Sequence, residues 1–324
     1  MDEIKAKKIF NAAQKNFENL KYEEARELWF QILKFYPENL SLLRNISLTY
    51  FNQKKFFESE DILKKIIKIN LKETNALSML ILTLEEQDKV TEAKKFIEIG
   101  IDNNLLNDHW KIKKELMIPM IKTDTDEIIK FRSNINKFIN KIINSNDDYN
   151  FNVRDHLIKP PQFGLSYDQF DNLEINKKCV SLFRKIYPEL NKINLHKHAP
   201  SSKIRIGFIS EYFTDHTIGK LFKGIILKID KEKFEVLVFH SEQTKKGSIL
   251  NDLIDAEKKG VIKNIFLPKD FKQKQTSILD QKLNVLFYPE IGLSIQLYFL
   301  SYIRLAKYQI TSWGHPETTG NDSI

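Results

Sequence analysis

The sequence predicts a two-class protein, α + α/β: helical repeats first, then one half-domain built on a parallel sheet. Three observations predict it. Small and large apolar residues recur at a spacing of 34 from Tyr22 to Leu105. Five short apolar runs alternate with helical patterns from Lys203 onward. Between these regions, the polar stretch Asn144 to Asn152 and the pair Pro160-Pro161 interrupt any continuous helix. At 324 residues the chain exceeds one domain of about 100–200 residues, so more than one core is expected. With 42% hydrophobic and 29% charged residues, it has the composition of a folded chain rather than a disordered one.

The repeats begin at Tyr22, Phe56 and Val90. In that register Ala25, Ser59 and Ala93 coincide, as do Trp29, Leu63 and Ile97, then Leu33, Ile67 and Ile101. Pro37, Leu71 and Leu105 close the units. Each unit reads as two antiparallel helices, with the small residue allowing close approach and the large ones filling the groove. Leu43, Ile46 and Tyr50 correspond to Leu77, Leu80 and Leu84 in the preceding helices. This pattern resembles tetratricopeptide repeats, with Pro37 at their usual closing position. Three units are about the minimum for a stable stack, and such a stack offers a concave surface for an acceptor protein or peptide. The repeats are expected to span residues 1–107.

Residues 108–202 are expected to form a helical connector. From Asp108 to about Asn144 the pattern stays helical, with Ile128, Phe131, Ile135, Phe138 and Ile142 on one face. A further helix is expected from Leu173 to about Tyr187, stopped by Pro188, with Cys179 packed inside it. His196, His198 and Pro200 read as a linker. No third ligand stands near the two histidines, so no metal site is expected.

At Lys203 the pattern changes. Apolar runs at Ile204–Ile209, Val236–Phe239, Ile262–Leu267, Val285–Tyr288 and Tyr308–Ile310 read as strands. Helical patterns fill the gaps at Ile218–Ile229, Ser248–Lys258, Lys272–Lys282 and Gln296–Ala306. The alternation predicts a Rossmann-like parallel sheet with helices on both faces over residues 203–324. Ligands of such sheets bind at the carboxyl ends of the strands. Three segments there stand out: Ser210 to Gly219, Pro289 to Gly292, and Trp313 to Gly320. Glycines permit close backbone approach, and threonine hydroxyls suit phosphate or sugar oxygens. The Gly-x-Gly-x-x-Gly fingerprint of dinucleotide enzymes does not follow the first strand.

Ile204 to Leu221 resembles the start of the catalytic region of O-linked N-acetylglucosamine transferases and their bacterial relatives. Those have a strand, Ser, an aromatic, a short gap, Asn or Asp, and then His, which here are Asp215 and His216. Trp313 to Gly320 resembles that family's Gly-Tyr-Pro-Gly-Thr-Thr/Ser-Gly loop, with His315 for Tyr and Glu317 for Gly. Leu305 to Gln309 and Ser181 to Leu190 also match the family's approach to these motifs, and upstream tetratricopeptide repeats are its usual arrangement. The resemblance implies an inverting, metal-independent glycosyltransferase of the two-Rossmann (GT-B) type. It would transfer N-acetylglucosamine from UDP-N-acetylglucosamine, a donor substrate rather than a cofactor, to protein Ser or Thr. His216 would lie near the sugar and acceptor as catalytic candidate, an imidazole able to accept a proton. Asp215, Gly314, His315, Pro316, Thr318, Thr319 and Gly320 would line the substrate cleft. An acidic residue that many relatives carry shortly before this His is Tyr212 here, with Glu211 adjacent. The family's second Rossmann half would follow Ile324, so these 324 residues alone are expected to be inactive. The alternative is a non-catalytic, repeat-based protein-binding module.

The net charge of +8 and pI of about 9.1 raise nucleic acid as a partner. The lysines, however, are scattered among Glu and Asp, as in Lys54-Lys55 and Lys113-Lys114, which is the pattern of solvated helix faces. One cysteine precludes an internal disulfide. The charged start Met1-Asp2-Glu3 and the lack of an apolar run of about 18 residues predict a cytoplasmic protein without a membrane anchor.

Overall fold

The computed structural model describes residues 1–155, 157–192, 202–242 and 244–324. They divide into two compact units, Met1–Thr123 and Asp124–Ile324. The expected linker around His196 to Pro200 lies outside the described residues.

The first unit is a stack of helices: α1 (Glu3–Glu18), α2 (Tyr22–Leu33), α3 (Leu40–Asn52), α4 (Phe56–Ile69), α5 (Thr74–Glu86), α6 (Val90–Asp102) and α7 (Asp108–Leu116). The three repeat starts read from sequence are the first residues of α2, α4 and α6. Ala25, Ser59 and Ala93 are fully buried, as the close helix approach requires. Trp29, Leu63 and Ile97 are buried beside them, and Trp29 meets the rings of Phe10 and Phe17 from α1 at 6.4 and 5.9 Å. Thus α1 completes the first helix pair. The turns also repeat: Leu20, Lys54 and Asp88, spaced by 34, are all left-handed, with φ of 62°, 59° and 59°. None is glycine, and each accepts a conformation costly for an L-residue. The tight helix–helix contacts on either side hold the turn where residue type does not favour it.

Within Asp108–Asn144, where the pattern stays helical, the chain breaks at Met117–Asp124. Met117 is extended (ψ 121°) and Pro119 lacks the N–H a continuing helix needs. Asp124 then starts a new helix, its carboxylate accepting from the Glu127 amide at 2.8 Å. The expected connector is accordingly split: α7 belongs to the first unit, and α8 (Thr125–Asn144), α9 (Gln162–Leu165) and α10 (Leu173–Ile186) belong to the second.

The second unit carries β1 (Ile204–Ile209), α11 (Thr217–Lys228), β2 (Phe234–Ser241), α12 (Ser248–Lys258), β3 (Lys263–Leu267), α13 (Phe271–Leu279), β4 (Val285–Tyr288), α14 (Ile295–Leu300) and β5 (Tyr308–Thr311). The strand order is β3-β2-β1-β4-β5, all pairs parallel. β1 is central, and the chain reverses beside it between β3 and β4, so a crevice opens at the carboxyl ends of β1 and β4. Ile206, Phe208, Val236 and Val238 pack with Phe222, Ile226, Ile249 and Leu253 of α11 and α12. Phe183 and Tyr187, in and just after α10, pack against Phe299 of α14, with ring centroids 5.0 and 5.4 Å away. The expected last helix, Gln296–Ala306, ends early at Leu300. The Ser301 carbonyl is captured by the Gln309 and Asn321 side chains (3.3 and 3.1 Å) instead of by a further turn.

Candidate functional site

The carboxyl ends of β1, β4 and β5 bring three loops together. Gly314 is pressed against the β4 loop and α11. A Cβ added there would lie 2.5 Å from the Pro289 carbonyl oxygen and 2.8 Å from Ile218 Cδ1, so only glycine fits. The Gly314 amide donates to the same carbonyl at 3.1 Å. Ile218 stands two residues after His216, and the Trp313 ring lies 5.8 Å from that of Phe222 on α11. His216 and Gly314, 98 positions apart, therefore border one region. His216 is exposed, Gly314 half-buried, and Trp313 is 73% exposed, a large apolar surface left to solvent at this edge.

His216 caps α11. Its Nδ1 accepts from the Ile218 amide at 3.2 Å, and its ring lies 4.7 Å from that of Tyr212. The cap commits the Nδ1 lone pair, so the neutral ring carries its proton on Nε2. In this arrangement Nε2 donates a hydrogen bond and cannot take a proton.

The other sequence-chosen residues separate into two sets. Pro316 and Thr318 are exposed beside Gly314. His315, Thr319 and Gly320 turn inward. His315 is 4% exposed, with its ring 5.5 Å from that of Phe163 and its Nδ1 accepting from the Glu317 amide. Burial lowers its pKa, so the ring is neutral. Thr319 Oγ1 accepts from the Asn321 amide, and Gly320 (φ 61°) lies against Asn176 and Lys177 of α10. Asp215 is engaged elsewhere: its carboxylate accepts from the Ser248 amide and hydroxyl and the Ile249 amide at 3.1, 2.7 and 3.0 Å, closing the N-terminus of α12. Those bonds, the Ile249 one foremost, lower its pKa. The amides of Glu317, Thr318 and Asn321 are likewise bonded within their own loop.

Behind the crevice, Glu290 is 1% exposed. Ser210 Oγ donates to its Oε1 at 3.0 Å and itself accepts from the Tyr212 amide, tying the loops after β1 and β4 together. Burial pushes the carboxyl up to about 8 against that bond, so Glu290 holds its proton at pH 7. Gly292 (φ 129°) passes so close to Gln162 and His315 that a Cβ would lie 2.4 Å from Gln162 Nε2. Sequence reasoning singled out the segments that hold Tyr212, Glu290 and Gly292 but missed Gln162. Gln162 follows Pro161 in a stretch read only as a helix breaker, and nothing local marks it. Tyr212 was read only as the replacement for an acid.

Among the described residues no helix is long and apolar enough to cross a membrane. No protein-family model and no curated protein matches the chain. In structure it is similar to a mutant O-GlcNAc transferase from Thermobaculum terrenum, with a TM-score of 0.58 and 12% identity over 98% of this chain. The chain spans 52%, about half, of that protein's length. Two tetratricopeptide domains also align. One is the first such domain of Spaghetti bound to an HSP90 peptide (26% identity, 35% of this chain, 90% of that one, TM-score 0.32). The other is the Sgt2 domain from Aspergillus fumigatus (19%, 44%, 87%, TM-score 0.31). The shared architecture with the transferase is helical repeats followed by a Rossmann-like sheet: a likeness of fold.

Proposed function

We propose that the second unit is the acceptor-side half of a nucleotide-sugar glycosyltransferase acting on protein hydroxyls, with the repeats presenting the acceptor. The observation that carries this reading is the convergence of His216, Pro289 and Gly314 at the carboxyl ends of β1, β4 and β5. The expected donor is UDP-N-acetylglucosamine. In this reading His216 is a fixed hydrogen-bond donor: Nε2–H, at the start of the twelve-residue α11, faces a developing phosphate charge that the helix dipole also favours. Gly314, Pro316 and Thr318 shape the adjoining wall. His315, Thr319, Gly320 and Asp215 position the loops and α12 without touching substrate.

The test is titration of the chain with UDP-N-acetylglucosamine, observed through the ligand's NMR signals. Weak binding is expected, since one wall of a GT-B cleft holds only part of the donor. His216→Ala should weaken it about tenfold, the worth of one charge-assisted hydrogen bond. Sugar transfer by this chain alone is not expected, because transfer needs both substrates held together. Binding that is absent, or indifferent to His216→Ala, would favour the non-catalytic protein-binding module.

A further inference from the structure

A second cavity, of about 350 Å³, opens at the carboxyl ends of β1, β2 and β4. Its wall includes Glu211, Tyr212, Lys269, Lys274, Leu293 and Gln296. The unusual member is Lys274, a lysine 4% exposed. It sits on the inner face of α13 between Phe271 and Ile278, and its ammonium donates to Gln296 Oε1. Glu211 is its nearest carboxylate, but at 3.8 Å the two attract without forming a hydrogen bond. Each therefore keeps unused capacity. An ammonium has three donors, and a carboxylate accepts about four hydrogen bonds. Burial lowers the Lys274 pKa, the sign of a charge whose solvation is incomplete.

We infer that this cavity binds a neutral, polyhydroxylated ligand of about one sugar ring. A hydroxyl both donates and accepts, so neighbouring hydroxyls can bridge from Glu211 to Lys274 and Gln296 and satisfy both ends. In the buried part of the wall an anion would satisfy Lys274 and be repelled by Glu211, and a cation would meet the reverse; Lys269 is exposed and keeps its own hydration. Tyr212 and Leu293 supply an apolar surface for the C–H face of a ring. The volume falls at the low end of the roughly 300–1,000 Å³ usual for ligand pockets, enough for one ring and too little for a nucleotide sugar. Tyr212 is shared with the first site: its hydroxyl donates to the Leu293 carbonyl at 3.2 Å while its ring contacts His216. The inference does not require the glycosyltransferase reading, and its test reads binding alone.

The experiment is saturation-transfer NMR on the 324-residue chain with N-acetylglucosamine and glucose as probes, and glycine and inorganic phosphate as contrasts. Millimolar binding of at least one sugar is expected, weakened tenfold or more by Glu211→Gln and by Lys274→Met. Gln296→Leu, at an exposed position, keeps the test decisive if Lys274→Met fails to fold; it should weaken the sugar at least threefold. No saturation transfer to either sugar, binding indifferent to these variants, or displacement of the sugar by phosphate or glycine would overturn the inference.

Discussion

Two buried glutamates, one in each unit, have opposite fates. Glu60 in the repeat unit is 5% exposed, and Glu290 in the sheet unit is 1% exposed. Burial pushes both carboxyls up. At Glu60 hydrogen bonds from Lys64, Lys89 and Gln87 outweigh it and hold the group at about 2. At Glu290 only the Ser210 hydroxyl and its own amide oppose burial, and the group stands at about 8. The difference lies in the neighbours. Lys64, one turn along α4, and Lys89, just ahead of α6, reach the carboxylate with half-exposed side chains that keep part of their own hydration. The Glu290 loop offers an uncharged donor from a strand end. A stack of helices can bring lysines to any groove between them. The loop after β4 brings no lysine to the Glu290 carboxyl.

This contrast can be broken by substitution. The largest effect is expected from Glu60→Ala, which leaves Lys64 and Lys89 facing each other over a vacated, partly buried site and should cost about 3 kcal/mol in a urea melt at pH 7. In the parent chain the folded pKa lies below the unfolded one, so this stabilisation is present above about pH 4.5 and lost as pH falls towards 2. The variant should lose that acid-side slope; an unchanged slope would place the charge network elsewhere. Ala25→Trp comes next. With no free space at that contact, overpacking should cost about 2 kcal/mol. A circular-dichroism melt that does not move would contradict the repeat register.

Glu290→Gln sharpens the comparison from the other side. The folded pKa lies above the unfolded one, so Glu290 favours folding below about pH 4.5 and progressively loses that contribution as pH rises through 8. Glutamine never ionises and can keep the bond from Ser210. It should therefore be near-neutral at pH 5 and stabilise the fold by about 1 kcal/mol at pH 9, where the wild-type carboxyl is largely ionised. A loss of stability at pH 9 would sink the assignment of a protonated Glu290. The smallest change is expected from Asp215→Ala, which frees the first amides of α12. Faster hydrogen exchange at Ser248 and Ile249, with the rest of the sheet unaltered, would confirm that Asp215 holds a helix end rather than a ligand.

The two units also differ in how much of them the sequence discloses. Periodicity is a local signal, and Ala25, Ser59 and Ala93 marked the repeat contact without any structure. The five strands were legible for the same reason: each is a short apolar run. What escaped depends on partners distant in sequence. Asp215 reads as a ligand because Ser248 stands 33 positions away. The last helix was drawn too long because Gln309 and Asn321 intercept the carbonyl at its end. Pro119 was in plain view, yet the apolar spacing on either side masked the break. Lys274 did leave a trace, since it shares the buried face of α13 with Phe271 and Ile278, but a lysine at an apolar position is easily read as a solvated side chain. The open site was harder to read than the repeats: the His216 tautomer follows from one hydrogen bond at a helix cap, and no spacing encodes it.

The aromatic contact between α10 and α14 bears on where this gene could be cut. Phe183 and Tyr187 cover Phe299, while Asn176 and Arg184 of α10 bond to Thr318 and Asp322 in the last residues of the chain. A coding fragment opening at Lys203, where the strands begin, would strip that cover and leave Phe299 facing water. One opening at Asp124 would carry it along. The transferable piece is thus larger than the sheet: it is the whole of Asp124–Ile324, helices included.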